Sequence, residues 1–146
     1  MDLLQAMKER HSVRSYKEKP IEAGTVERLR SFITECNKES GLHMQLVLDE
    51  FHAFKGFMAH YGKFSGVRNY IALIGRKGND LEEKCGYYGE RIVLYAQTLG
   101  LNTCWVALTY GKVKSAFQID PGENLCLGIV KYHFELGAGK ENFRWV

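Results

Sequence analysis

Leu81, Cys85, Tyr88, Ile92, Tyr95 and Leu99 recur at steps of four and three, and Gly100 follows at once. This stripe constrains the chain more than any other stretch, because an apolar face about five turns long must be covered by the rest of the fold. The spacing predicts a helix that starts after Asn79-Asp80 and ends where glycine takes the left-handed cap position. Just before it, Tyr70-Ile71-Ala72-Leu73-Ile74 is a continuous apolar run that stops at Gly75-Arg76-Lys77-Gly78, the pattern of a strand buried on both faces. A chain of 146 residues buries about two-thirds of its unfolded surface as one compact domain and leaves no room for two.

The remaining elements follow from the same periodicities. Leu3, Leu4 and Met7 predict a short helix that reaches Arg10, with Asp2 suited to cap it. The stretch Arg10-His11-Ser12-Val13-Arg14-Ser15-Tyr16 loses the period. Beyond Pro20, the spacing of Val26, Leu29, Phe32 and Ile33 predicts a second helix over 22–36. Leu42, Met44, Leu46 and Leu48 alternate as in a strand with one buried face, and Phe51 to Tyr61 return to helical spacing in a segment weakened by Gly56 and Gly62. After Gly100, a strand over 103–108, a helix near 112–117 and an apolar run over 125–130 complete an α+β or α/β layered pattern.

Several function classes are excluded at this level. Twenty Lys and Arg against 17 Asp and Glu give a net charge of +3, interspersed along the chain, which argues against a nucleic-acid surface. Cysteines at 36, 85, 104 and 126 form no C-x-x-C pair and have no histidine at metal-ligand spacing, so they read as reduced thiols and no metal site is expected. The charged opening, with Asp2, Lys8, Glu9 and Arg10, holds no apolar run for a signal peptide or a membrane span; the expectation is a cytoplasmic protein. Phe64 stands where a P-loop needs its metal-binding hydroxyl. No G-x-G-x-x-G follows a strand, and neither G-x-S-x-G nor H-E-x-x-H occurs.

What remains is a set of anion-binding side chains. Arg10 and Arg14, four residues apart with Ser12 between them, suit a phosphate, because guanidinium forks match its oxygens and stay charged. By spacing alone a solvated face is the stronger reading for the two arginines, and a structural or exposed position the stronger one for His11. Without an acid, base or nucleophile constellation, the pattern points to a bound cofactor as the carrier of any chemistry.

The same residues carry a family resemblance. The N-terminal helix followed by Arg10-His11-Ser12-Val13-Arg14 resembles the R-x-S-x-R opening of the nitroreductase-like FMN oxidoreductases. The helix Tyr87 to Thr98 with Leu99-Gly100-Leu101-Asn102-Thr103-Cys104-Trp105 resembles that family's long central helix and its L-G-L-x-T-x-W turn. The resemblance implies an α+β nitroreductase-like fold, with a central mixed or antiparallel sheet flanked by helices. It implies FMN as cofactor, NAD(P)H as electron donor and a nitroaromatic, quinone or similar small molecule as acceptor. Arg10 and Arg14 would meet the FMN phosphate, and His11 and Ser12 the ring edge or ribityl chain. Trp105, Ala107 and Leu108 would lie near flavin N5 and O4, and Lys63 near the pyrimidine. No protein acid or base is nominated.

The chain also departs from the family. Ser40-Gly41-Leu42-His43-Met44-Gln45 has His43 where the family's P-S-x-x-N-x-Q segment has asparagine, so a strand is the better reading. Asn124-Leu125-Cys126 reads as the start of a core strand, yet Leu127 to Ala138 reads as a helix. The expectation is a single domain over 1–146 that lacks a linking segment between Cys126 and Leu127. The related subgroup carries a tandem-like flavin site in one chain, so a homodimer and a monomer that completes its own site both stay open. The competing function is a flavin- or anion-binding module without turnover, and behind it a structural protein with a solvated arginine pair.

Overall fold

The computed structural model describes residues 1–52, 64–106 and 123–145. Among these residues four α-helices and a small antiparallel sheet make an α+β arrangement around one central helix. α1 spans Leu3–Glu9, and the Asp2 carboxylate accepts from the Gln5 backbone N–H at 2.8 Å, as its position predicts. α2 spans Ala23–Ser40, four residues beyond the predicted end. Its true stop is Gly41, which takes the left-handed cap at φ 75°.

β1, Gln45–Val47, pairs antiparallel with β2, Tyr70–Ala72, with Leu46 opposite Ile71. His43 N–H extends the ladder to the Ile74 carbonyl at 2.7 Å. At the other end Asp49 takes φ 54°, its N–H turns to the Asn69 side chain, and Glu50 N–H takes the Arg68 carbonyl in its place. That slip of one residue is a bulge that ends the regular pairing. Residues 70–74 are half-buried and not buried on both faces, and the sheet they join has two strands among the described residues.

α3, Leu81–Thr98, is the predicted central helix, and Gly100 closes it at φ 79°. Its stripe enters the main core. Cys85, Ile92 and Ala96 pack with Leu29, Ile33 and Cys36 of α2 and with Leu42 and Met44 at the sheet. Cys36, Cys85 and Cys104 are free thiols, and burial pushes the thiols of Cys36 and Cys85 each up to about 11, so both stay protonated at neutral pH.

Two expectations are corrected. Residues 103–106 belong to no strand; the backbone of Thr103 joins another segment by accepting a bond from the Val13 N–H. α4 spans Glu123–Ala138 without a break, so Asn124-Leu125-Cys126 starts a helix and not a strand. A short apolar run fits either state, and here Gly128 and Tyr132 bury a helical face against α3. The conflict of strand against helix, which was the physical ground for a missing linker at Cys126 and Leu127, therefore does not arise. A Cβ on Gly128 would sit 2.0 Å from the Glu83 carbonyl oxygen, which shows how closely α4 approaches α3. The helices predicted at 51–61 and 112–117 lie mostly or wholly outside the described residues. Among the described residues no helix is long and apolar enough to cross a membrane.

Candidate functional site

Arg10 caps α1 at its C-terminal end, and at φ −61° and ψ 128° the chain turns extended there. From this point the backbone is held on two sides. Val13 N–H donates to the Thr103 carbonyl at 3.0 Å. Ser65 N–H donates to the Arg14 carbonyl and Tyr16 N–H to the Ser65 carbonyl, each at 2.9 Å, which makes a parallel bridge between Ser15 and Ser65. The hydroxyls of those two serines lie 2.9 Å apart.

This anchoring divides the segment by side chain. Val13 and Tyr16 turn inward, and the Tyr16 hydroxyl donates to the Val13 carbonyl at 2.5 Å. Burial raises that hydroxyl to about 12, with Cys104 adding to the effect and Arg14 opposing it, so Tyr16 remains a neutral donor. His11, Ser12 and Arg14 are exposed together on the outer side. The His11 Nδ1 lies 3.1 Å from the Glu9 carbonyl, and no described residue bonds the side chain of Ser12 or Arg14.

Arg10 points the other way, into the protein. Its side chain is 19% exposed and its Nε lies 3.9 Å from Glu90 Oε1, an attraction too long for a hydrogen bond. Its Nη1 is buried with no hydrogen-bond partner. Trp105 reaches the same carboxylate, with indole Nε1–H donating to Glu90 Oε2 at 2.8 Å. His133 of α4 completes the group, its Nε2 2.9 Å from Glu90 Oε1. Two residues nominated from the sequence, 95 positions apart along the chain by their numbers 10 and 105, thus meet at one carboxylate.

Sequence reasoning missed Glu90 and His133. Glu90 is 2% exposed, and a glutamate in a helix gives no local sign of such burial. Gly89 was the available clue: a Cβ there would stand 2.6 Å from Trp105 Cη2 and 2.9 Å from Leu73 Cδ1. Only glycine leaves the indole its seat. Lys63, Ala107 and Leu108, the other nominated positions, lie outside the described residues.

Chemically, His11, Ser12 and Arg14 offer an anion an imidazole, a hydroxyl and a guanidinium on the outer side, while the second guanidinium, that of Arg10, faces inward with its Nη1 buried. No group of three or more His, Cys, Asp or Glu among the described residues could hold a metal ion. A groove of about 330 Å³ between α2 and the end of α3 is lined by Glu27, Glu35, Arg28 and Tyr95, and none of the described nominated residues lines it.

The family model described as "Putative TM nitroreductase" matches residues 2–127. No curated protein and no solved structure matches the chain. The matched span takes in α1, the 10–16 segment, α3 and Trp105, and by its extent the chain belongs to this nitroreductase family.

Proposed function

We propose that the chain is an FMN-dependent oxidoreductase that takes hydride from NAD(P)H and passes electrons to a nitroaromatic, quinone or similar acceptor. Bound FMN would supply the redox chemistry, and the chain's own residues would anchor and orient it. Arg10 and Arg14 would hold the phosphate and its neighbouring polar atoms, and His11 and Ser12 the ring edge or ribityl chain. Trp105 and the segment after it, Ala107 and Leu108 included, would lie along the ring, where backbone N–H groups favour negative charge. Lys63 would face the pyrimidine.

The observation that carries this reading is the unpartnered Nη1 of Arg10. A buried donor without a partner costs about 1–3 kcal/mol, and a charged one more, so an anionic acceptor at that atom removes a standing penalty. Arg14, exposed four residues on, would supply the further charged donors that a phosphate takes. The nitroreductase family membership supports an oxidoreductase role, and the two motif segments meeting at Glu90 support a site at that place.

The test is titration of the purified protein with FMN, followed by flavin fluorescence, and then NAD(P)H oxidation with a quinone acceptor. Saturable FMN binding with acceptor-dependent NAD(P)H loss is the expected result. FMN binding without NAD(P)H loss would favour the binding module, and no FMN binding would overturn the proposal.

A further inference from the structure

We infer that Glu90 is a positioning residue for the proposed FMN site: its buried carboxylate seats Trp105 and draws Arg10 toward it, so that the buried Nη1 of Arg10 is left without a protein partner for the ligand to take up. This rests on the FMN reading above. The geometry gives Glu90 one oxygen for each side of the task. Oε2 takes the Trp105 indole N–H at 2.8 Å, and Oε1 faces His133 Nε2 at 2.9 Å and Arg10 Nε at 3.9 Å.

A carboxylate 2% exposed pays heavily for its desolvation and persists in a fold only with partners that hold it. Those partners come from the 10–16 segment, the segment after α3, and α4. Arg10 is the one whose bonding capacity is least used. Its Nε is held near Glu90 by attraction, without a direct bond, while Nη1 has no partner. A guanidinium is a rigid plane, so the attraction that biases the Nε edge toward Glu90 also biases the direction of Nη1. The next residue down the helix serves the same end, because Gly89 leaves the space in which the indole lies against α3.

The arrangement differs from a salt bridge kept for stability. Burial of an ion pair is weak evidence for stability, and an apolar replacement is often neutral. A positioning role predicts instead that Glu90 acts on ligand affinity through Arg10.

The experiment is a double-mutant cycle on FMN affinity with Glu90→Gln and Arg10→Ala, together with the indole ¹H–¹⁵N signal of Trp105 in the FMN-free protein, assigned in a Trp145→Phe background. Glu90→Gln keeps an acceptor for the indole but removes the charge. It is expected to shift the Trp105 signal and to raise the FMN Kd about tenfold, the difference between a charged and a neutral partner. In the Arg10→Ala background the same change is expected to cost less than about twofold, because the group it acts through is gone.

An equal loss in both backgrounds, or an unmoved Trp105 signal, overturns the positioning role while leaving FMN binding by the unaltered chain intact. Absence of FMN binding by the unaltered chain overturns the proposed function and this inference with it. If the Gln variant fails to fold, Trp105→Phe is the second variant. It deletes the indole donor but keeps a ring beside Gly89, and the same non-additivity toward Arg10→Ala is expected.

Discussion

On the side of α3 that meets α2 and the sheet, Cys85, Ile92 and Ala96 pack against Leu29, Ile33 and Met44 with no charged group among them. On the side that meets α1 and α4, Gly86, Gly89, Glu90 and Leu94 are just as buried, yet the contacts there are a carboxylate, an indole N–H, an imidazole and a guanidinium. One helix therefore carries two kinds of interior. The apolar side gains from burial alone and tolerates small shifts. The polar side depends on the angles its groups keep, and one of its donors, Arg10 Nη1, is left unfilled.

The largest expected effect lies on the apolar side. Ile92 has no exposed surface and stands mid-stripe. Ile92→Ala should lower stability by about 2–5 kcal/mol through lost burial and a residual cavity. Denaturant midpoints measure this, and a midpoint equal to that of the unaltered chain would break the division of faces. FMN affinity per folded molecule should stay the same.

Arg14→Ala should do the reverse. Arg14 is exposed and touches no core residue, so the midpoint should hold while FMN affinity falls about ten- to a hundredfold, as expected for a charged hydrogen bond of about 1.5–3 kcal/mol. Arg14→Lys should recover part of it, since a point charge lacks the planar fork. Equal FMN titrations in all three forms would remove Arg14 from the site.

The apolar side was open to sequence reading for a physical reason: its signal is a period, and a period is local. The stripe from Leu81 to Leu99, the Asp2 cap, the Gly100 stop and the alternation through Leu42, Met44 and Leu46 all lie within one element. The end of α2 was lost because Asn37, Lys38, Glu39 and Ser40 carry no apolar residue to extend the period. There Asn37 instead turns its amide to both backbone groups of Met44, at 2.9 and 2.8 Å. α4 was half-missed because Leu125-Cys126 reads equally as strand or helix. Glu90 was invisible because its partners stand 15, 43 and 80 positions away, at Trp105, His133 and Arg10. Exposed and buried glutamates look alike in a helix. His133 also lies beyond the residues that the family model matches.

Gly89→Ala would sharpen the comparison at the polar side. The added methyl would meet Trp105 Cη2 at 2.6 Å and Leu73 Cδ1 at 2.9 Å. Overpacking of this kind costs about 1–3 kcal/mol, and alanine's better helix propensity returns about 0.5–1 kcal/mol. A net loss of about 1 kcal/mol is expected, with a changed Trp105 emission in a Trp145→Phe background. A stabilised variant with unchanged emission would show that the indole is not seated there.

The smallest effect belongs to a charge pair at the margin of the apolar side, where Arg91 Nη1 donates to Glu39 Oε2 at 2.6 Å. The arginine lies over the rings of Tyr88 and Phe32, at 5.3 and 5.7 Å from their centres. Its hydrogen bond holds the Glu39 carboxyl below the usual carboxylate range, against a small opposing effect of burial. A carboxyl whose folded value is lowered binds its proton more readily in the unfolded chain. The stability it adds is therefore complete above the ordinary carboxylate range and is lost as pH falls through the lowered folded value. The Glu39 side chain is 51% exposed, so screening by solvent limits the pair to about 0.2–1 kcal/mol. Glu39→Gln should lower the urea midpoint slightly at pH 7, by less in high salt, and not at all once the carboxyl is protonated in both states. A deficit that persisted in acid would mean that Glu39 contributes through packing against α3 and not through its charge.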